Sequence, residues 1–170
     1  MVSKTIEKAL NKQIRIEAES SQYYLAMASW AETQGLNGTA KFLYKQSDEE
    51  RFHMMKLIRF INERGGHAII PELKQPPKSF KNLAYIFEQL LEHEVMVTSE
   101  IHSVVEKCLK EKDYTTHNFM QWYVAEQIEE EALARTILDK LKLIGNDKGG
   151  LYLFDRDLEN LNLEADTVSQ

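Results

Sequence analysis

The chain has one cysteine, Cys108, in 170 residues. A single thiol excludes an intrachain disulfide and any zinc or iron–sulfur site built from cysteines. Proline is nearly as scarce. Pro71, Pro76 and Pro77 all fall between Gly65 and Lys78, so the long stretches on either side are free to be helical. No uninterrupted apolar run approaches the ~18 residues of a membrane span, and no membrane association is expected. The start, Met1-Val2-Ser3-Lys4-Thr5-Ile6-Glu7-Lys8, lacks an apolar stretch with a small-residue cleavage site. No secretory signal is therefore expected, and a cytoplasmic location is. Positive charge is in deficit: a net charge of −6 argues against a chain whose main task is holding nucleic acid.

What is present is helical periodicity. The 43% apolar content suffices for the core of one domain over residues 1–170. Residues at three- and four-residue steps predict four long helices and one short one, at about 3–34, 38–64, 79–109, 113–144 and 151–163. In the first, the stripe is Ile6, Leu10, Ile14, Glu17, Ser21, Tyr24, Leu25 and Ala28. In the second it is Leu43, Gln46, Glu50, His53, Leu57, Phe60 and Ile61. The third carries Leu83, Phe87, Leu90, Glu94, Val97, Ile101, Val104 and Cys108, and the fourth Phe119, Tyr123, Gln127, Glu130, Ala134, Ile137, Leu141 and Ile144. Gly35, Gly65-Gly66 and Gly145 close three of these patterns, as glycine past a helix C-terminus commonly does.

Turns of about three residues join helices one and two and helices three and four, so each pair is an antiparallel hairpin. The proline-bearing segment between the hairpins has roughly 14 residues, which reach about 46 Å when extended. A helix of about 27 residues is about 40 Å long. The segment can therefore run the length of the bundle and leave helices two and three parallel. The expected fold class is all-α: a ferritin-like four-helix bundle with one long crossover between helices two and three, plus a short fifth C-terminal helix.

The chemistry lies in polar side chains inside the apolar stripes. Glu17, Glu49, Glu50 and His53 correspond, at one offset of 77 positions, to Glu94, Glu126, Gln127 and Glu130. An isolated buried charge costs several kcal/mol or loses its ionisation. A cation shared by several such ligands removes that cost. Glu50-x-x-His53 puts a carboxylate and an imidazole side by side on one helical face. With single glutamates from helices one and three, it begins the di-metal arrangement of ferritin-like bundles. Oxygen-rich ligands with an imidazole suit Fe(II), Fe(III) or Mn(II) better than a closed structural zinc site.

Taken singly, each element is ordinary: Glu-x-x-His is common on solvated helices, and the run Glu126 to Glu131 would usually be a charged face. Their conjunction, one ligand per helix at matching depth, points to metal. Gln127-x-x-Glu130 replaces a second Glu-x-x-His, which leaves one metal position all-oxygen, held by Glu50, Glu94 and Glu130. Glu126, Glu129 and Glu130 share a face and, with Glu49, offer a further carboxylate site. Tyr24, two turns from Glu17, is placed to hydrogen-bond a ligand or donate an electron, or else is a core tyrosine with a satisfied hydroxyl. His67, His93, His102 and His117 show no ligand spacing. Trp122 and Tyr123 are expected to pack near the site.

At these residues the chain resembles the bacterial non-haem ferritins over essentially its whole length. Asn118-Phe119-Met120-Gln121-Trp122-Tyr123-Val124-Ala125-Glu126-Gln127-Ile128-Glu129-Glu130-Glu131 is similar to that family's fourth helix, and Tyr23-Tyr24-Leu25-Ala26-Met27-Ala28 to its first. The resemblance implies a homo-oligomeric 24-subunit shell that oxidises Fe(II) with O2 or H2O2 and stores a ferric mineral. It implies Glu17, Glu50 and His53 at a first iron, Glu50, Glu94 and Glu130 at a second with Gln127 nearby, and Glu49, Glu126, Glu129 and Glu130 at a third. It places Tyr24 beside the centre, the last helix at the four-fold axis, and Glu111, Asp113 and His117 near the three-fold. Haem is not expected, because Arg51 stands where a haem-ligating Met would be and Glu130 where the second histidine would be. A cage-free di-iron peroxidase or oxygenase is the competing enzyme reading, and a purely structural bundle leaves the carboxylates in the stripes unexplained.

Overall fold

The computed structural model describes residues 1–168, with side chains through Glu159. Five helices follow one another: α1 (Lys4–Thr33), α2 (Asn37–Glu63), α3 (Leu83–Glu111), α4 (Tyr114–Ile144) and α5 (Lys148–Val168). Three of the four long helices start on their own caps. Ser3 Oγ accepts from the Ile6 amide at 3.2 Å, Asn82 Oδ1 from Tyr85 at 2.8 Å, and Asp113 Oδ1 from Thr116 at 3.0 Å. Each satisfies an amide that the helix itself leaves unpaired. At the α1–α2 turn Gly35 takes φ +75°, while the α3–α4 turn uses Lys112 at φ 57° without glycine.

Contacts between the hairpins set the topology. Tyr24 bonds Glu94 and Lys12 bonds Glu100, so α1 and α3 are antiparallel. Arg64, at the end of α2, pairs with Asp113 at the start of α4, and Phe60 stacks on Phe119 at 3.8 Å. With two antiparallel hairpins this makes α2 and α3 parallel, the arrangement that the crossover length allows. The crossover lies along α1. His67 and Ile69 bond Asn11 through their backbones, and Phe80 packs on Tyr23 and Trp30. Asn11 and Trp30 are about 28 Å apart along the helix.

Two helix limits differ from expectation. The third helix was expected from residue 79 and begins at Leu83, because Phe80 is buried against α1 and holds that stretch off the helix axis. The fifth was expected over 151–163, and it spans Lys148–Val168. Two stripe positions also shift. Leu25 is 43% exposed while Met27 is buried, and Met120 is buried beside a half-buried Phe119.

The core is two apolar blocks. One contains Tyr24, Phe87, Ala134 and Phe154, and the other Ile6, Leu57, Val104 and Tyr123. Between them lies a layer that is not apolar: Glu17, Glu50, His53, Glu94, Gln127 and Glu130, all buried.

Candidate metal centre

Four helices each turn a polar side chain into this middle layer. Glu17 comes from α1, Glu50 and His53 from α2, Glu94 from α3, and Gln127 and Glu130 from α4. Glu17, Glu50 and His53 each offer a ligand atom, and the three atoms lie within 4.8 Å of one another. His53 Nδ1 stands 3.8 Å from Glu17 Oε2 and 3.5 Å from Glu50 Oε2. The ring is fixed from behind: Trp122 meets it edge-on at 5.2 Å, and the Tyr123 hydroxyl donates to the His53 carbonyl at 2.8 Å. Both aromatic residues thus sit where the sequence placed them.

The electrostatics are those of carboxylates crowded without a counter-cation. Burial first, then Glu17 and Glu94, push the Glu50 carboxyl well above its ordinary range. Burial also pushes Glu94 up, against the pull of its donors Tyr24 and Gln127. Burial, Glu94 and Glu49 take Glu130 to about 8. At Glu17 burial pushes upward, yet His53, Glu50 and the Gln13 amide together bring it below its ordinary value. The His53 ring is raised: burial opposes its charge, and Glu17 more than compensates. Such mutual perturbation of like charges marks a site that needs a positive partner.

The fit of a cation can be read from unpaired atoms. Buried polar atoms are nearly always hydrogen-bonded. Yet Glu17 Oε2, Glu50 Oε2 and Glu130 Oε2 have no hydrogen-bond partner. Three orphaned carboxylate oxygens and an imidazole nitrogen are a donor set for a hard or borderline cation such as iron or manganese.

Glu94 differs. Tyr24 donates to its Oε1, and Gln127 Nε2 donates to its Oε2 at 3.0 Å and to its carbonyl at 3.2 Å. Tyr24 is therefore bonded to a candidate ligand, and Gln127 acts on Glu94 through its amide. The outer carboxylates are looser. Glu49 and Glu126 are half-buried, burial and then the nearby Glu126 push the Glu49 carboxyl above its ordinary value, and Glu129 is exposed. His67 and His102 are exposed, His117 is half-buried, and His93 is half-buried on Ser20 at 2.6 Å.

Sequence reasoning passed over Gln13, which donates to Glu17 Oε1 at 2.7 Å from one turn earlier. It also gave Thr98 no role, although this residue accepts from Gln127 and donates to Glu131. A buried glutamine four residues before a stripe glutamate was a readable signal for Gln13. Nothing in the pattern singled out Thr98.

A four-helix bundle with one long crossover and a buried carboxylate–imidazole layer defines the class of carboxylate metal-binding bundles. Comparison narrows it: residues 7–144 match the ferritin-like domain family, described as Ferritin. The chain is 47% identical to a bacterial non-heme ferritin of Campylobacter jejuni, with 96% of this chain and 98% of that one covered. It is 46% identical to a probable bacterial non-heme ferritin-like protein of Haemophilus influenzae, covering 97% and 100%. Among solved structures, an open pore ferritin from the archaeon Archaeoglobus fulgidus superposes with a TM-score of 0.92 at 44% identity, covering 94% and 98%. The chain belongs to the ferritin family.

Proposed function

We propose that the protein is an iron-storage ferritin with ferroxidase activity. Fe(II) is its substrate, oxidised to Fe(III) at a di-iron centre inside each bundle with O2 or H2O2 as electron acceptor. The ferric oxyhydroxide product is then held in a 24-subunit shell. The observation that carries this reading is the meeting of Glu17, Glu50 and His53, with a buried carboxylate oxygen left unpaired on Glu17, on Glu50 and on Glu130.

Each residue has a task. Glu17 and His53 hold the first iron, with Glu50 shared between the two positions. Glu94 and Glu130 hold the second, and Gln127 and Tyr24 set the angle of Glu94. Loading displaces protons from the carboxyls that burial has raised, so binding and proton release are coupled. Oxidation of two Fe(II) passes two electrons to one O2, which takes up two protons to leave as peroxide. Carboxylates favour the product, because oxygen anions stabilise Fe(III) more than Fe(II). The ferritin relatives and the exposed apolar residues Leu25, Leu143, Tyr152 and Leu153 support assembly with further copies.

The test is anaerobic Fe(II) loading of the apoprotein, followed by O2, with ferric absorbance read on the size-exclusion fraction near half a megadalton (24 chains of 19.8 kDa). Fast oxidation with iron retained in that fraction is expected. Oxidation without a large particle would favour a cage-free di-iron enzyme, and no oxidation above buffer would overturn the ferroxidase reading.

A further inference from the structure

The bond that aims Glu94 has support of its own. Gln127 Nε2 donates to Glu94 Oε2 at 3.0 Å and to the Glu94 carbonyl at 3.2 Å, and it reaches Thr98 Oγ1 at 3.3 Å. Glu94 and Thr98 stand one turn apart on α3, and Gln127 and Glu131 one turn apart on α4, so the two pairs interlock across the hairpin. The Thr98 hydroxyl has a single proton to give. Its acceptors are the Glu94 carbonyl at 3.0 Å, the usual back-bond of a helical threonine, and Glu131 Oε1 at 2.7 Å. Arg135 donates to the other Glu131 oxygen at 2.7 Å, which leaves Glu131 an ionised, acceptor-only group. A charge-assisted bond is roughly twice as strong as a neutral one, so the proton goes to Glu131. Thr98 then turns an acceptor lone pair to Gln127, which answers with its NH2 end. Turned over, the amide would set its own oxygen against Glu94 Oε2, the Glu94 carbonyl and Thr98 Oγ1, all of them acceptors.

We infer that Thr98 and Glu131 are positioning residues of the centre: they hold the Gln127 amide nitrogen-first on Glu94 and so set the cation affinity of the position that Glu94 and Glu130 form. The inference rests on the two-iron reading above and gives roles to two residues outside its ligand set. An amide nitrogen has no free lone pair for a cation, so Gln127 held this way orients Glu94 and does not ligate. The bonds run inward from solvent through exposed Arg135, half-buried Glu131 and Thr98, and buried Gln127 to Glu94. Tyr24 meets the same carboxylate from α1. No bond in this chain reaches Glu17, Glu50 or His53, so the first cation position is independent of it.

The experiment is calorimetric titration of the metal-free protein with Zn(II) alone, a redox-silent probe, together with thermal melting of each metal-free sample. Wild type, Thr98→Val, Thr98→Ser, Glu131→Gln, His53→Ala and Glu50→Ala are compared. Wild type takes up its central cations in two steps, and the step lost in His53→Ala identifies the first. Thr98→Val removes the hydroxyl and weakens the second step about tenfold, as loss of an orienting partner does, with the first unchanged. Glu131→Gln moves the second step the same way. Thr98→Ser keeps the hydroxyl and restores it, and Thr98→Val melts close to wild type. An unaltered second step in Thr98→Val, or one that Thr98→Ser fails to restore, overturns the inference. Lower melting of Thr98→Val with both steps weakened equally would make Thr98 a packing residue and overturn it too. In each of these cases loss of central binding in Glu50→Ala leaves the two-iron reading standing, whereas unchanged binding in Glu50→Ala would sink both.

Discussion

The phenol of Tyr24 donates to Oε1 of Glu94, tying α1 to α3 inside the polar layer. Gln127 occupies Oε2 of the same carboxylate. Both oxygens of Glu94 are therefore engaged by protein donors, while Glu17, Glu50 and Glu130 each keep one free. On the proposed two-iron reading the two positions are therefore unequal: a cation at Glu94 has to displace a protein donor, and one at Glu17 and Glu50 does not. Tyr24→Phe is expected to leave the first Fe(II) binding event unchanged and weaken the second about tenfold. Anaerobic titration resolves the two steps, and an equal effect on both would rule out this asymmetry.

Glu50 faces Glu17, Glu94 and Glu130, whereas Glu129 is exposed. Glu50→Ala should therefore slow Fe(II) oxidation by at least about 100-fold, the upper range for disrupting a metal ligand environment. Glu129→Ala should stay within about twofold of wild type. Stopped-flow absorbance compares them directly, and similar rates for the two variants would sink the ranking.

Glu130 gives the pH dependence. Its carboxyl is raised to about 8, by burial first and then by Glu94 and Glu49, from an ordinary value of 4.5. The folded protein keeps this proton where the unfolded chain has released it. Stability from this group is thus fully present below about pH 4.5 and is lost as pH rises through 8. Metal-free Glu130→Gln should melt several degrees above wild type at about pH 9 and close to it at about pH 5. Scanning calorimetry on metal-free samples at both values decides, and a larger gain at the lower pH would contradict the assignment.

Asp155 caps a helix that is not its own. Leu36, at the N-cap of α2, makes no side-chain cap, and Asp155 on α5 accepts instead from Gly38 N at 3.0 Å, Thr39 N at 2.8 Å and Thr39 Oγ1 at 2.7 Å. A Cβ on Gly38 would lie 1.7 Å from the Asp155 carbonyl, so only glycine lets α5 approach. Asp155→Ala should cost about 1–2 kcal/mol, the value of a lost N-cap. That lowers the melting temperature by about 2–8 °C in a chain of this size. Gly38→Ala should release α5 from α2, seen as faster amide exchange in both segments.

Much of this was legible in the chain. Period and punctuation placed four long helices, because an amphipathic stripe needs no partner to be recognised. The crossover length allowed α2 to lie parallel to α3. Carboxylates in apolar stripes located the polar layer, since burial of charge is costly in any fold and so stands out in sequence. The Phe80 anchor that delays α3 and the exposure of Leu25 were not legible, because both depend on which neighbour covers a residue.

The sequence by itself determined the helices, the hairpins and the polar residues Glu17, Glu50, His53 and Glu94 of the buried central layer, through local periodicity and the energetic penalty on buried charge. Only the tertiary structure decided what each polar atom touches: Gln13 on Glu17, Gln127 and Tyr24 on Glu94, Gln46 on Glu49, and Asp155 on α2. The reason is geometric. A helical pattern places a side chain on a face to within about 100° of rotation. A hydrogen bond or metal contact is settled over about 3 Å between helices whose spacing and register are set by packing.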